Sequence, residues 1–208
     1  AGSAMGELPL IDLDRVAPSN INRQAHALSD TRGMAKVDAM AERLLQINPQ
    51  LVIHRVDEFI EPDTVGQLLS TQLDYVVDAI DSLRAKAALI AWCRRHKVPV
   101  VVSGGAGGKT DPTRIVVDDL SRTTDDPMAS TLRYTLRRQH GFARDGKFGV
   151  PCVFSTEPLI RPSAACEAGA AGAQGLNCAG FGSVMGVTAG FGLAAASRVL
   201  RDLARQTS

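Results

Sequence analysis

The side chains that could do chemistry fall in three places along this chain. Asp12 and Asp14 close the apolar run Leu8–Leu13 (LPLIDL), so a carboxylate stands at the end of a strand. In a nucleotide-binding α/β sheet such an acid hydrogen-bonds ribose hydroxyls; a solvated strand end has the same appearance. The loop Ser19-Asn20-Ile21-Asn22-Arg23-Gln24, followed by Lys36, then supplies amides, a guanidinium and an ammonium. That set could grip a polyphosphate, Arg as a planar fork and Lys as a compact charge, or it could cap the helix that follows. The third place is VVDAIDS, with Asp78 and Asp81. One strand-end carboxylate facing a phosphate is a natural magnesium ligand, and again a solvated acid is the plainer alternative.

A fourth signal is a look-alike. Ser103-Gly104-Gly105-Ala106-Gly107-Gly108-Lys109-Thr110 approaches the phosphate-binding pattern GxxxxGK[ST], but its first position is serine. A phosphate loop must also run into a helix whose N-terminus faces the anion, whereas Asp111-Pro112-Thr113 leads into the β-branched run that starts at Arg114. The expectation is a glycine-rich crossover loop at the C-terminal edge of a sheet, the edge where open α/β sheets bind ligands.

These groups need elements to hold them. Apolar residues at Met34, Val37, Met40, Ala41, Leu44 and Leu45 recur at helical spacing until Asn48-Pro49. Strands are expected at Leu51–Val56, Tyr75–Ile80 and Val98–Val102, with helical stretches at Pro62–Ser70 and Arg84–His96 between them. Strands alternating with helices imply βαβ units and a mainly parallel sheet. Beyond Gly108 the pattern changes to an edge strand or hairpin arm at Arg114–Leu120, an amphipathic basic helix at Thr131–His140 and a short strand at Cys152–Ser155. The fold class is therefore α/β and Rossmann-like: a mainly parallel sheet flanked by helices, with an added antiparallel part and a C-terminal helix.

Composition bounds the partners. The 208 residues are 45% hydrophobic and 22% charged, with 23 Lys+Arg against 22 Asp+Glu, an ordinary globular balance that excludes a histone-like binder but leaves room for local basic patches. Cys93, Cys152, Cys166 and Cys178 form no CxxC pair, which fits free thiols in a reducing cytoplasm. From Gly169 to Ser197 no residue is charged, and the stretch ends in an expected helix with Arg198, Arg201 and Arg205 on its exposed side. Its many glycines favour a tightly packed helix, in a core or at a dimer interface, over a membrane span.

Singly these features are weak, and their order is more specific. LIDLDRVAPSNINRQ, then GMAK, then DAIDS, then a Pro-Val strand entering SGGAGG resembles the ubiquitin-activating-enzyme-like adenylating superfamily. GGAGGKTDPT and GVPCVFSTEP are similar to its tRNA threonylcarbamoyladenosine dehydratase family, and the resemblance runs from about Leu8 to the C-terminus. It implies that ATP lies across the strand ends, with Asp12 on the ribose and Asn20, Arg23 and Lys36 on the phosphates. Arg23 and Lys36 would stabilise charge at the α-phosphorus and Asp81 would coordinate Mg2+. It implies ATP-dependent cyclisation of threonylcarbamoyladenosine in tRNA through an acyl-adenylate, by a homodimer; a sulfur-transfer partner is a further possibility, since related members use thiols. For Cys152, Cys166 and Cys178 a buried structural role is the alternative. Between Arg122 and Val150, Arg122, Arg133, Arg137, Arg138, Arg144 and Lys147 outnumber Asp125, Asp126 and Asp145. That local net of +3 could track tRNA phosphates or be a solvated helix face.

Two departures from the superfamily pattern bear on the reading. Zinc-binding CxxC pairs are absent, which separates the chain from the sulfur-carrier activators. Counting about 20 residues back from Asp12 passes Ala1, so a first strand and its glycine loop are expected to precede a single domain spanning residues 1–208. Rivals are an adenylyltransferase for a ubiquitin-like sulfur carrier and an inactive fragment that keeps a partner surface.

Overall fold

A computed structural model of the chain describes residues 5–160 and 182–206, which group into two compact units, residues 1–60 and 61–208. In unit 1, β1 (Glu7–Ile11) pairs in parallel with β2 (Val52–Val56), Glu7 opposite Val52 and Ile11 opposite Val56. Parallel neighbours need a crossover, and α1 (Lys36–Ile47) provides it. Its apolar face buries Val37, Ala39 and Ala41, and Ala39 packs with Val16 and Ala27 from the preceding loop. α1 begins at Lys36 rather than Met34, because Met34 and Ala35 are held extended: Val16 N–H donates to Met34 O, and Ala35 bridges to Arg15.

Unit 2 carries a four-stranded sheet in the order β3-β4-β6-β5. β3 (Val76–Asp78), β4 (Val100–Ser103) and β6 (Pro151–Ser155) are parallel, and β5 (Ile115–Asp119) closes the edge antiparallel to β6. The helices are α2 (Val65–Leu68), α3 (Leu83–His96), α4 (Pro127–Gln139) and α5 (Met185–Gln206). Val100, Val101 and Val102 are all buried, as a central strand covered on both faces requires. Val101 and Val153 meet Val187, Phe191, Ala195 and Val199 of α5, four positions along one helical stripe. Gly190 belongs to this contact, since a Cβ there would lie 2.5 Å from Ile115 Cδ1. The glycine-rich tail thus ends as a core-packed helix, and among the described residues no helix is long and apolar enough to cross a membrane. Arg198 departs from the expected exposed side: it is half-buried, 2.7 Å from Asp202, which also accepts from the Tyr75 hydroxyl at 2.9 Å.

α4 starts four residues before the basic stretch read from the sequence. Asp126 is its N-cap, accepting from Ala129 N at 2.9 Å, and Pro127 takes the first helical position. α2 is shorter than its sequence suggested, a single turn before Leu69 turns extended. The loop between α4 and β6 is pinned by Asp119, whose carboxylate accepts from Ser121 N, Phe148 N, Gly149 N and Val150 N at 2.7–3.3 Å. Partial burial pulls the Asp119 carboxyl upward, but the donors outweigh it and hold it below the usual aspartate value.

A depressed folded value means that Asp119 stabilises the fold fully above the unfolded pKa of about 3.9, and that this contribution disappears as pH falls through the lower folded value. Asp119→Asn should therefore lower stability at neutral pH and flatten the acid limb of a stability profile, read by urea unfolding at successive pH values. An unchanged acid limb would remove Asp119 from the account.

Candidate functional site

Unit 1 gathers four of the five expected site residues on the chain leaving β1. Asp12 follows the strand directly, and its Oδ1 accepts from Asp14 N at 2.8 Å, a turn that keeps the carboxylate at the strand's C-terminal end. Lys36 opens α1. Its backbone N–H is tied to Asp14 O at 2.9 Å, and its Nζ sits 2.6 Å from Asp14 Oδ2 and 3.9 Å from Asp12 Oδ2. Burial raises the Asp12 carboxyl above its ordinary value, against the Asp14 amide and the Lys36 charge, which pull it down. Asp14, read only as a second strand-end acid, is thus the nearer anion to Lys36.

Asn20 and Arg23 lie on one tight turn. Asn20 is buried; its Oδ1 accepts from Ala17 N at 2.9 Å and its carbonyl from Arg23 N and Gln24 N at 3.0 and 2.9 Å. The side-chain oxygen therefore builds the loop, and the Nδ2 donor is the group suited to a phosphate. Arg23 folds back onto the same loop, donating from Nη1 to Ser19 O at 2.5 Å and Asn22 Oδ1 at 3.1 Å. Gln24, part of the loop read from the sequence, has a neighbour that the reading missed, His26. Gln24 Oε1 and both ring nitrogens of His26 are buried without a hydrogen-bond partner in the protein. Burial, then Lys36, lowers the His26 pKa, so the ring is neutral at neutral pH, and it lies close enough to Asp12 to feel that charge. Only its place two residues beyond Gln24 could have drawn attention to it.

Asp81 belongs to unit 2, exposed between β3 and α3. What positions it is buried beneath. Asp78, the last residue of β3, accepts on Oδ1 from Ile80 N at 2.9 Å and from Lys86 Nζ at 3.1 Å, and Lys86 also donates to Ile80 O at 2.8 Å. Both Asp78 and Lys86 are fully buried, and Asp78 Oδ2 has no protein partner. Burial pushes the Asp78 carboxyl upward while Lys86 opposes it. Ile80 is thereby clamped by both its N–H and its C=O, one residue before Asp81. Among the described residues no three His, Cys, Asp or Glu side chains cluster as a metal site. A single carboxylate does fit Mg2+, which commonly takes one or two protein carboxylates and draws other ligands from substrate phosphates and water.

The glycine-rich look-alike is filled from within. Thr110 N and Asp111 N both donate to Glu157 Oε2 at 2.9 Å, Thr110 Oγ1 to Glu157 Oε1 at 2.9 Å, and Gly105 N to Asp126 Oδ2 at 2.8 Å. Lys109 is buried, donating to Asp125 O at 2.8 Å and to Glu157 O. A Cβ on Gly104 would fall 2.2 Å from Asp126 Oδ2 and 3.1 Å from Val153 O, so only glycine fits. A 3-10 turn at Pro112–Arg114 and β5 follow, with no helix to face an anion.

The cysteines divide. Cys93 and Cys152 are buried, and burial pushes both thiols up to about 12, a structural rather than a nucleophilic setting. Cys166 and Cys178 lie outside the described residues. Within the expected basic patch, Arg133 turns inward: its guanidinium donates to Thr123 O at 3.0 Å and to Thr123 Oγ1. Arg137 lies 5.1 Å over the Phe148 ring, and Arg138, Arg144 and Lys147 stay exposed. Arg122 is 4.0 Å from Asp118, a solvent-exposed pair of little energetic weight.

The ThiF family profile matches residues 1–205. The chain belongs to the ThiF family. It is 49% identical over 211 residues to tRNA threonylcarbamoyladenosine dehydratase of Escherichia coli K12, covering 98% of this chain and 79% of that one. It is 44% identical to the Haemophilus influenzae protein of the same name, covering 100% and 80%. The crystal structure of the Escherichia coli enzyme in complex with ATP superposes with a TM-score of 0.86 at 47% identity, covering 97% of this chain and 77% of that one; the AMP complex gives 0.87 with the same identity and coverage. Molybdopterin-synthase adenylyltransferase of Salmonella typhimurium is 34% identical over half of the chain.

In this ThiF-family chain the clamp beneath Asp81 can be tested by unpairing it. Lys86→Met leaves Asp78 buried without a counter-ion and should cost about 3–5 kcal/mol, read by urea unfolding through Trp92 fluorescence. Lys86→Met with Asp78→Leu, which removes both charges, should recover most of that loss. A double variant no more stable than the single would show that the pair's charges are not the issue.

Proposed function

We propose that this chain is an ATP-dependent tRNA threonylcarbamoyladenosine dehydratase. The observation that carries this is the near-full-length similarity to the Escherichia coli enzyme of that name, whose solved structures hold ATP and AMP. The residues present fit the task. Asp12 would accept hydrogen bonds from the ribose hydroxyls. The Asn20 amide, Arg23 and Lys36 would meet the phosphates, Lys36 exchanging its contact with Asp14 for a phosphate oxygen. A magnesium ion held by Asp81 and phosphate oxygens would neutralise charge on the departing pyrophosphate.

The chemistry runs in two steps. A carboxylate oxygen of the threonyl group attacks the α-phosphorus of ATP, and the bond to the bridging oxygen of pyrophosphate breaks. Negative charge accumulates on phosphoryl oxygens, where Arg23 and Lys36 stabilise it as fixed cations that need no reorganisation. A nucleophile within the modified nucleoside then attacks the activated carbonyl carbon, its proton is lost to solvent or base, and AMP leaves as the ring closes. The substrate's oxygen departs with AMP, so the net change is loss of water coupled to ATP cleavage. Both partners of the ring closure sit in one molecule, so proximity replaces an enzyme nucleophile. Buried Cys93 and Cys152 accord with this, and with a reducing, cytoplasmic setting. A sulfur-transfer partner would depend on thiols other than these two. tRNA phosphates would meet Arg138, Arg144 and Lys147 rather than the inward-turned Arg133.

Asp81→Ala and Arg23→Ala should each abolish ATP-dependent cyclisation while leaving tRNA binding nearly intact, measured by nucleoside mass spectrometry and filter binding. Wild-type turnover in either variant removes that residue from the catalytic set. A carrier adenylate formed with a protein ending in Gly-Gly, without tRNA cyclisation, would favour the adenylyltransferase reading instead. A homodimer belongs to the same proposal, supported by the apolar outer face of α5, where Met185, Leu193 and Leu200 are exposed. Leu193→Glu should shift the sedimentation coefficient toward a monomer, and an unchanged dimer would move the interface elsewhere.

A further inference from the structure

The C-terminal end of α3 holds four consecutive exposed residues, Arg94, Arg95, His96 and Lys97, that the adenylation chemistry does not use. They are far along the chain from the basic stretch of α4 and its following loop, yet the fold joins the two. Arg94 donates from Nη1 to Phe148 O at 2.5 Å and lies 4.6 Å over the Phe142 ring, while burial and then the nearby Arg95 charge lower the His140 pKa. Arg94 and Arg95 thus bring the end of α3 against the end of α4 and its following loop, a stretch in which Arg137, Arg138, Arg144 and Lys147 outnumber Asp145.

A groove of about 630 Å3 opens at this end of α3, its lining including Gly66, Leu69, Trp92, Arg95 and His96, with Asp63 as the one acid among the residues that line it. His96 packs against Trp92 in a tilted arrangement, ring centroids 4.5 Å apart and planes at 37°; Trp92 is buried and His96 exposed. Gly66 lies against Trp92 in this lining, 3.5 Å from its Nε1 as measured from an added Cβ, an ordinary packing distance. An exposed imidazole backed by a buried indole and flanked by cations is the chemistry that takes an unstacked base with its neighbouring phosphates.

A second, independent observation concerns Lys97. It caps α3 in the left-handed conformation, φ 60° and ψ 26°, with Val98 N donating to Cys93 O at 2.9 Å. That position favours glycine, because a Cβ is strained there. A lysine held where glycine would be more stable points to a use for its charge.

We propose that the α3 terminus, with the groove beside Trp92 and His96, is an RNA-contact site for tRNA, at the end of α3 opposite Asp81. Arg95 and Lys97 grip phosphates and His96 carries a base. α3 has 14 residues, so the two ends stand roughly 20 Å apart at about 1.5 Å per residue. A folded tRNA bridges that distance easily. The proposal rests on the dehydratase reading and adds to it a surface that anchors the substrate away from the reacting nucleoside.

The test compares wild type with Lys97→Gly, Arg95→Ala, His96→Ala and His96→Phe, using tRNA that carries the modified nucleoside, over a series of salt concentrations. Lys97→Gly should melt at the same or a higher temperature yet bind tRNA several-fold more weakly, with the salt slope reduced by about 1. Arg95→Ala should weaken binding similarly. His96→Ala should lose affinity that His96→Phe retains. ATP binding should not change in any of them. Wild-type chain that fails to bind tRNA would overturn the dehydratase reading and this proposal together. Normal tRNA binding by wild type, with affinity and salt slope unchanged in Lys97→Gly and Arg95→Ala, would overturn this proposal alone.

Discussion

A fully buried ammonium, Lys86, and a fully buried carboxylate, Asp78, meet at 3.1 Å beneath the turn that presents Asp81. Neither charge could remain there alone, since desolvating an ion costs far more than one hydrogen bond returns. The two therefore require each other, and together they require the Ile80 peptide, which gives Asp78 its N–H and takes a donor from Lys86. One electrostatic constraint thus sets the backbone between β3 and α3. What unit 2 offers at that strand end depends on it, including the exposed acid Asp81 one residue beyond the clamped peptide.

The same economy governs the loop after β4. Glycine-rich backbone at a strand end presents N–H groups that would bind an anion, and this chain supplies the anions itself. Glu157 takes the Thr110 and Asp111 amides, Asp126 takes Gly105, and Lys109 is spent on carbonyls. A loop satisfied in this way is rigid and closed to an outside phosphate. The chain after β1 is arranged differently: Gln24 Oε1 and the His26 ring nitrogens are buried without protein partners, His26 within reach of the Asp12 and Lys36 charges. Buried polar groups without partners cost stability, and a bound nucleotide's hydroxyls and phosphates could offset that cost.

Much of this was legible in the residues. The helical spacing from Val37 to Leu45 and the β-branched runs in β4 and β6 are local signals, and the structure follows them closely. The rejection of a phosphate loop was also legible, because Pro112 and the run after it are adjacent to Lys109. What filled the loop was not, since Glu157 lies 47 residues from Thr110 in the chain. The start of α4 was hidden because Asp125-Asp126-Pro127 reads as a turn until Asp126 is seen capping Ala129. Arg133 looked like surface charge because helical periodicity alone does not reveal a buried Thr123 waiting for its guanidinium. The union of the α3 terminus with the α4 loop is a tertiary fact, created by Arg94 on Phe142 and the Phe148 carbonyl.

The two buried thiols have a consequence of their own. Cys93 on α3 and Cys152 on β6 are both shielded, and with thiols at about 12 almost none of either is thiolate at neutral pH. They are inert toward alkylating reagents while the sheet is closed and ordinary cysteines once it opens. Each is a built-in clock for local unfolding, one on a helix and one on the strand it helps to cover. The ratio of their labelling rates reports whether helix and sheet come apart together or in turn.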